Sequence, residues 1–272
     1  MKIIEETEAP EPVYRQASVR IHRDGHRETD SRSVATEYGL RLRLNGKFWT
    51  ELICTPTHLA ELVLGHLLSE GMIRSAEQVE SLRICRARGI AECTGEFWEP
   101  WDGNSQDKRP VTDDLTQISD AGLSVSARQE ATLPASLDRD RIFGMLEVME
   151  QEQPLHRATR SAHGCCLDVK GEPLFICEDI RRHNALDKAI GYALRRGYDR
   201  KSAMLYTTGR APVDMVQKVI RSGIPVFVSK RLPTRQAVEL AARCGLTLLG
   251  QARQDEFQVF SPLQAGDLFT ET

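Results

Sequence analysis

The chain has 272 residues, of which 40% are hydrophobic and 28% charged, with a formal net charge of -3. Such values suit one large or two small globular domains, and the near balance of charge excludes the basic bias of a nucleic-acid binder and a global attraction to acidic membrane surfaces. Unbroken apolar stretches, such as Leu62-Val63-Leu64, are a few residues long and fall far short of the ~18 to 20 residues that cross a bilayer, so no membrane span is expected.

The opening stretch "MKIIEETEAPEP" has neither the basic start nor the apolar block of a secretory signal, which predicts a cytoplasmic location. Seven cysteines, at positions 54, 85, 93, 165, 166, 177 and 244, fit free buried thiols in a reducing compartment better than a disulfide framework.

Residues 1 to 36 are polar and mixed in charge, and "YGLRLRLNGKFWTELIC" then alternates apolar and polar residues as a half-buried hairpin does, with Asn45-Gly46 at its turn. A helix is predicted over about 55–71: Thr55 caps it, Pro56 lies in its first turn, and Leu59, Leu62, Val63, His66 and Leu67 form its apolar stripe before Gly71. His66 reads as a packed, hydrogen-bonded residue on that stripe. "VESLRICRARGIAECTGEFW" suggests two short strands with Cys85 and Cys93 roughly opposite each other, as small buried hydrophobes or alternatively as a redox or metal pair. Residues 94–136 are poor in large apolar side chains and read as a long polar surface loop without cysteine. The expected division is therefore a small β-rich part over 1–136 and an α/β domain over 137–272.

In the second half, "LDRDRIFGMLEVMEQEQP" reads as a helix closed off by Pro154, and "CCLDV", "KGE" and "PLFIC" as strand, turn and strand. Helix and strand then alternate through "NALDKAIGYALRRG", "AMLYT", "APVDMVQKVIRSG", "IPVFVS", "PTRQAVELAARCG" and "LTLLG". This rhythm predicts a mostly parallel sheet with helices on both faces.

In such a sheet, ligands bind beyond the carboxyl ends of the strands, where helix N-termini offer free N–H groups. Three successive strand-end loops carry cations and, in two of them, hydroxyls: Glu178-Asp179-Ile180-Arg181-Arg182-His183-Asn184, Thr207-Thr208-Gly209-Arg210, and Ser229-Lys230-Arg231-Leu232-Pro233-Thr234-Arg235. Each residue has an ordinary reading: Asn184 and Thr234 as caps, Arg182 as a solvated charge, Glu178 and Asp179 as solubilising strand-end acids. Together they predict a pocket for phosphate or pyrophosphate. Neither a Walker A sequence nor G-x-G-x-x-G is present. In "TRSAHGCCLDV" the strand period sends Cys165 and Cys166 to opposite faces, leaving His163 as the functional part of the stretch.

"CTPTHLAELVLGHLLSEGMI", "CEDIRRHNALDKAIG", "TTGRAPVDMVQKVIRSGIPVFVS" and "LPTRQAVELAARCGLTLLG" resemble, in order and spacing, the FdhD family of formate dehydrogenase accessory sulfur-carrier proteins over about residues 40–262. The resemblance implies a cytidine deaminase-like, three-layer α/β domain beside a smaller β-rich part, in a cytoplasmic homodimer. It also implies sulfur taken from a cysteine desulfurase, carried as a cysteine persulfide, and delivered to the bis-molybdopterin guanine dinucleotide cofactor of formate dehydrogenase. By motif, it assigns cofactor contacts to Thr159, His163, Glu178, Asp179, Arg182, His183, Asn184, Gly209, Arg210 and Thr234. Asp187, Lys188 and Pro233 match the same motifs. The segment Gln251, Ala252, Arg253, Gln254, Asp255 and Glu256 aligns with a further cofactor-holding stretch, of whose pattern it keeps Arg253.

Two departures stand out. The family carries a C-G-x-C-G type motif before the "LDRDRIFGML" helix, whereas "AGLSVSARQEATLPASL" has no cysteine, and Arg181 replaces a glycine. One expectation is a divergent sulfurtransferase using Cys165, Cys166 or Cys177, with Cys165 first. The alternative is a non-covalent chaperone that holds a molybdenum cofactor or guanine nucleotide for formate dehydrogenase or another molybdenum oxidoreductase. Deaminase-type zinc hydrolysis needs a P-C-x-x-C motif, and the sequence has no C-x-x-C, so no metal site is expected.

Overall fold

The computed structural model describes residues 1–6, 12–24, 26–98 and 139–261. Residues 99–138, which hold most of the expected polar loop and the region where the family has its cysteine motif, lie outside the described residues.

The first half is built of strands β1 (Lys2–Glu5), β2 (Tyr14–Arg23), β3 (His26–Ala35), β4 (Tyr38–Leu44) and β5 (Lys47–Cys54), helix α1 (Leu59–Ser69), and strands β6 (Val79–Cys85) and β7 (Ile90–Gly95). β2 and β3 form an exposed two-stranded ribbon, and the others form a five-stranded sheet in the order β1-β6-β7-β4-β5. The β4–β5 hairpin turns at Asn45 and Gly46, both with positive φ, as a two-residue turn matched to strand twist requires. In the β6–β7 ladder Cys93 stands opposite Leu82 and Cys85 opposite Ile90. The two cysteines are thus not cross-strand partners, because the turn around Arg88-Gly89 sets a different register; both are buried.

Helix α1 begins at Leu59 rather than at Thr55, with His58 left-handed at its N-cap and no side-chain cap. Thr55 is drawn away from capping by the second half of the chain, as described below. His66 lies on the α1 stripe, hydrogen-bonded through Nδ1 to Asp187 at 2.9 Å and packed against Trp49 at 5.3 Å between ring centroids.

The second half runs α2 (Arg139–Gln151), α3 (Pro154–Thr159), β8 (His163–Val169), β9 (Glu172–Asp179), α4 (Arg182–Arg196), β10 (Ala203–Thr207), α5 (Val213–Ser222), β11 (Val226–Ser229), α6 (Arg235–Cys244), β12 (Thr247–Gly250) and β13 (Gln258–Val259). Pro154 does not simply end a helix. It stands in the first turn of α3, where a missing N–H costs nothing. The six strands form one sheet in the order β13-β12-β11-β10-β8-β9. Only the β10–β11 and β11–β12 pairs are parallel, while β8–β9, β8–β10 and β12–β13 are antiparallel. The sheet is therefore mixed rather than mostly parallel, because the short Lys170-Gly171 turn makes β8 and β9 a hairpin where a helical crossover would have made them parallel.

Side chains alternate across this sheet. Cys165, Leu167, Leu205 and Phe227 enter the main core with α1, α4, α5 and α6, and Cys166, Met204, Tyr206, Val226 and Val228 enter a second cluster with α2. Cys165 and Cys166 thus point to opposite faces, as the strand period predicts. The main core is continuous with the five-stranded sheet through α1, which crosses α4 at Gly65 and Gly191. A buried polar knot completes that crossing: Asp187 accepts from Ser69 Oγ at 2.7 Å and from Lys218 Nζ at 2.9 Å, in addition to bonding His66. No helix among the described residues is long and apolar enough to cross a membrane.

Candidate functional site

The sheet directions bring the predicted loops together. β10, β11 and β12 run parallel, and β9 shares their direction because both β9 and β10 are antiparallel to β8. The C-terminal ends of four strands and the start of β8 therefore lie along one edge, into which α4, α5 and α6 begin. Backbone bonds tie the loops side to side: Thr208 N donates to Gly164 O at 3.0 Å, Lys230 N to Thr207 O at 2.9 Å, and Ala252 N to Ser229 O at 3.1 Å. Ser229 Oγ, 2.9 Å from Gly209 O, links the second and third loops.

Arg182 opens α4 and lies against Gly209, where a Cβ would come within 3.2 Å of the Arg182 Cβ and Cδ. A side chain at 209 would press on the arginine stem, so glycine is favoured there. The Arg182 Nε is buried and has no hydrogen-bond partner among the described residues. A buried donor of a guanidinium without an acceptor is costly, and an anion at this edge would satisfy it. In the first turn of α5 Asp214 Oδ1 already accepts from Met215 N at 2.8 Å, whereas no side chain caps the first turn of α4, which leaves its N-terminus facing this place. Arg210, Lys230 and Arg231 add cations around it, with Arg210 and Arg231 exposed.

His183 reaches from α4 to the first turn of α5, its Nε2 2.7 Å from Asp214 Oδ2, and the imidazole helps hold the Asp214 carboxyl below its usual range. His163 is half-buried at the head of β8, directly opposite Asp179. Burial first, and then the neighbouring Arg182, His156 and His183, push its pKa below the ordinary histidine value. His163 is accordingly a neutral imidazole near pH 7 and gains most from an incoming negative charge.

The acids are engaged inside the protein. Glu178 accepts from Leu155 N and His156 N, both at 2.7 Å, and so holds the start of α3. Asp179 is fully buried and receives Thr55 N, Thr55 Oγ1, Arg181 N, Asn184 Nδ2 and Lys188 Nζ. Asn184 also donates to Ile53 O at 2.8 Å. Thr159 bonds back to Leu155 O within α3. Thr234 is the N-cap of α6, accepting from Ala237 N.

Gln251 to Glu256 follow β12 beside the β11 loop, with Ala252 buried, Arg253, Asp255 and Glu256 exposed, and Gln254 reaching Glu150 of α2. Thr55, Asp214 and Glu150 take part in this arrangement without any local sequence signal, because their partners are 124, 31 and 104 residues away.

The cysteines lie elsewhere. Cys165 is fully buried and stands opposite Cys177 across β8 and β9. Burial pushes the Cys165 and Cys166 thiols well up, and the Cys177 thiol to about 12. Cys244, the one cysteine that is not buried, closes α6 at the end remote from the edge. Among the described residues no group of three or more His, Cys, Asp or Glu is placed to hold a metal ion.

Against known proteins, residues 35–265 match the model of the FdhD/NarQ family. The chain is 32% identical over 256 residues to the sulfur carrier protein FdhD of Listeria innocua, covering 92% of this chain and 97% of that one. It is 35% identical over 242 residues to the sulfur carrier protein FdhD of Nocardia farcinica, covering 84% and 86%. The fold is similar to the crystal structure of a putative formate dehydrogenase accessory protein from Desulfotalea psychrophila, with a TM-score of 0.75, 26% identity, and coverage of 93% of this chain and 99% of that one. With a match that runs from β4 to β13 and includes the edge just described, the chain belongs to the FdhD/NarQ family.

Proposed function

We propose that this chain binds the guanine dinucleotide ends of the bis-molybdopterin guanine dinucleotide cofactor at the basic edge, during formate dehydrogenase maturation, and does so without carrying sulfur on a thiol of its own. The observation that carries the reading is Arg182, whose buried Nε lacks an acceptor among the described residues, beside the uncapped N-terminus of α4. A pyrophosphate supplies that acceptor, and Arg210, Lys230 and Arg231 supply the remaining countercharge. His163 offers a neutral ring that becomes a cation as negative charge arrives. Its partner is formate dehydrogenase or another molybdenum oxidoreductase, and it acts as a homodimer in the cytoplasm, as the family resemblance implies; a cysteine desulfurase is a partner only in the persulfide reading that follows.

Persulfide chemistry on a substitute cysteine is the competing reading. It needs an accessible thiolate. Cys165, Cys166 and Cys177 are buried with raised pKa values, which supports the non-covalent reading over it.

The test is calorimetric titration with guanosine diphosphate. Arg182→Ala and Arg210→Ala are each expected to weaken binding by roughly 1.5 to 3 kcal/mol, the range for charge-assisted hydrogen bonds. Unchanged affinity in both variants removes the reading.

A further inference from the structure

We propose that Thr55 and Lys188, acting through Asp179, are positioning residues that lock the Arg181–Asn184 turn in its ligand-ready form, so that the loop after β5 helps set the affinity of the edge. The inference rests on the nucleotide-binding reading of that edge.

Lys188 and Asp179 form an ion pair at 2.6 Å in which both side chains are 0% exposed. A buried pair of this kind is a poor source of net stability, because desolvation cancels most of its attraction. What it provides here is geometry. Asp179 ends β9, and its Oδ1 accepts from Arg181 N at 3.0 Å and from Asn184 Nδ2 at 3.1 Å, one contact on each side of Arg182. Its Oδ2 accepts from Thr55 N and Thr55 Oγ1, both at 3.0 Å, and from Lys188 Nζ.

Asn184 and Lys188 lie four residues apart, on one face of α4. The Lys188 ammonium also approaches Thr55 Oγ1 at 2.7 Å, Thr57 Oγ1 at 3.3 Å and Glu178 O at 3.3 Å. Thr55 and Thr57 come from the loop between β5 and α1. One carboxylate thus joins the end of a strand, the first two turns of a helix and a loop 124 residues earlier in the chain.

The Arg181 backbone shows what is held. Its φ of -118° and ψ of 127° are ordinary extended values, so the turn stores no backbone strain that would fix it by itself. Its conformation depends on the hydrogen bonds to Asp179. Loss of the Thr55 hydroxyl leaves the ammonium short of an acceptor and Oδ2 short of a donor in a dry site, and the pair must then shift to compensate.

Thr55→Val keeps the volume and removes the hydroxyl, and Thr55→Ser restores it. Guanosine diphosphate affinity is expected to fall about tenfold in Thr55→Val, the scale of one lost hydrogen bond to a charged group, and to recover in Thr55→Ser. Hydrogen exchange of the amides at 180–184 is expected to quicken in Thr55→Val and not in Thr55→Ser. Thr57→Ala, at the half-buried rim of the cluster, gives a smaller loss in the same direction and serves if Thr55→Val does not fold. A purely structural role predicts a lower melting temperature with affinity and exchange at 180–184 unchanged, and that result overturns the proposal. If the unaltered protein binds no nucleotide, the binding reading fails, and the exchange measurement still decides whether Thr55 positions the turn.

Discussion

Gly65 of α1 and Gly191 of α4 meet where the two helices cross, so closely that a Cβ on Gly65 would lie 1.7 Å from Asp187 O and one on Gly191 1.8 Å from Glu61 O. The obstacles are backbone atoms, which no rotamer change can move aside. Gly191→Ala therefore forces the helices apart and disturbs the contact through which the two sheets share a core. Overpacking of this kind costs about 1 to 3 kcal/mol or more. Urea unfolding should show a lower midpoint in Gly191→Ala, and an unchanged midpoint would mean that the crossing is looser than described.

The polar knot at the same crossing gives a second expectation. Burial works to raise the Asp187 pKa, but Lys218 and His66 outweigh it and bring it to about 2. A depressed folded pKa means stability that is complete above the ordinary carboxylate range and is lost as pH falls from about 4 toward about 2. Lys218→Met leaves Asp187 charged and buried without its ammonium, at a cost of about 3 to 5 kcal/mol. Unfolding measured at pH 7 and at pH 3 should show the variant losing less on acidification than the unaltered protein. Parallel losses would argue against Lys218 as the source of the depressed pKa.

Much of this architecture is legible in the sequence. The strands and helices after residue 138 follow the period of their apolar residues, and the strand-end loops with arginines and hydroxyls do collect at one edge. The hairpin at Asn45-Gly46 is visible because its turn chemistry is local. What the sequence hides is long-range. Thr55 looks like a helix cap, but Asp179 and Lys188 compete for its hydroxyl from 124 and 133 residues away. The β8–β9 hairpin is legible as strand, turn and strand, but its insertion beside β10, antiparallel to β8, is not, and that pairing makes the expected parallel sheet a mixed one. The acids at 178 and 179 read as solubilising or ligand-facing groups, whereas one holds α3 and the other holds the Arg182 turn.

His163 predicts the pH dependence of binding. Its pKa is lowered by burial and by the cations around it, so the neutral ring is favoured in the fold, and its contribution to stability is lost as pH falls below about 6.5. A bound pyrophosphate reverses the local field and favours the protonated ring. Guanosine diphosphate affinity should accordingly rise between pH 7.5 and pH 6, and His163→Gln should flatten that rise. A slope that survives in His163→Gln would remove His163 as its source.

The thiols make a separate expectation. Cys244 is the only cysteine that is not buried, and even its thiol is pushed up by partial burial. Alkylation of the native protein with iodoacetamide at pH 8 should therefore add at most one group, slowly, on Cys244, while the unfolded chain takes up seven. Rapid native labelling of Cys165 or Cys177 would contradict the packing of β8 against β9.

In the proposed function the basic edge binds its ligand by charge and shape, and none of the seven cysteines stands at it. The most direct measurement is the intact mass of the full-length protein after incubation with a cysteine desulfurase and isotopically labelled cysteine. The expected result is an unchanged mass in a protein that still binds guanosine diphosphate. An added sulfur that a reductant removes, mapped to any of the seven cysteines, would contradict it.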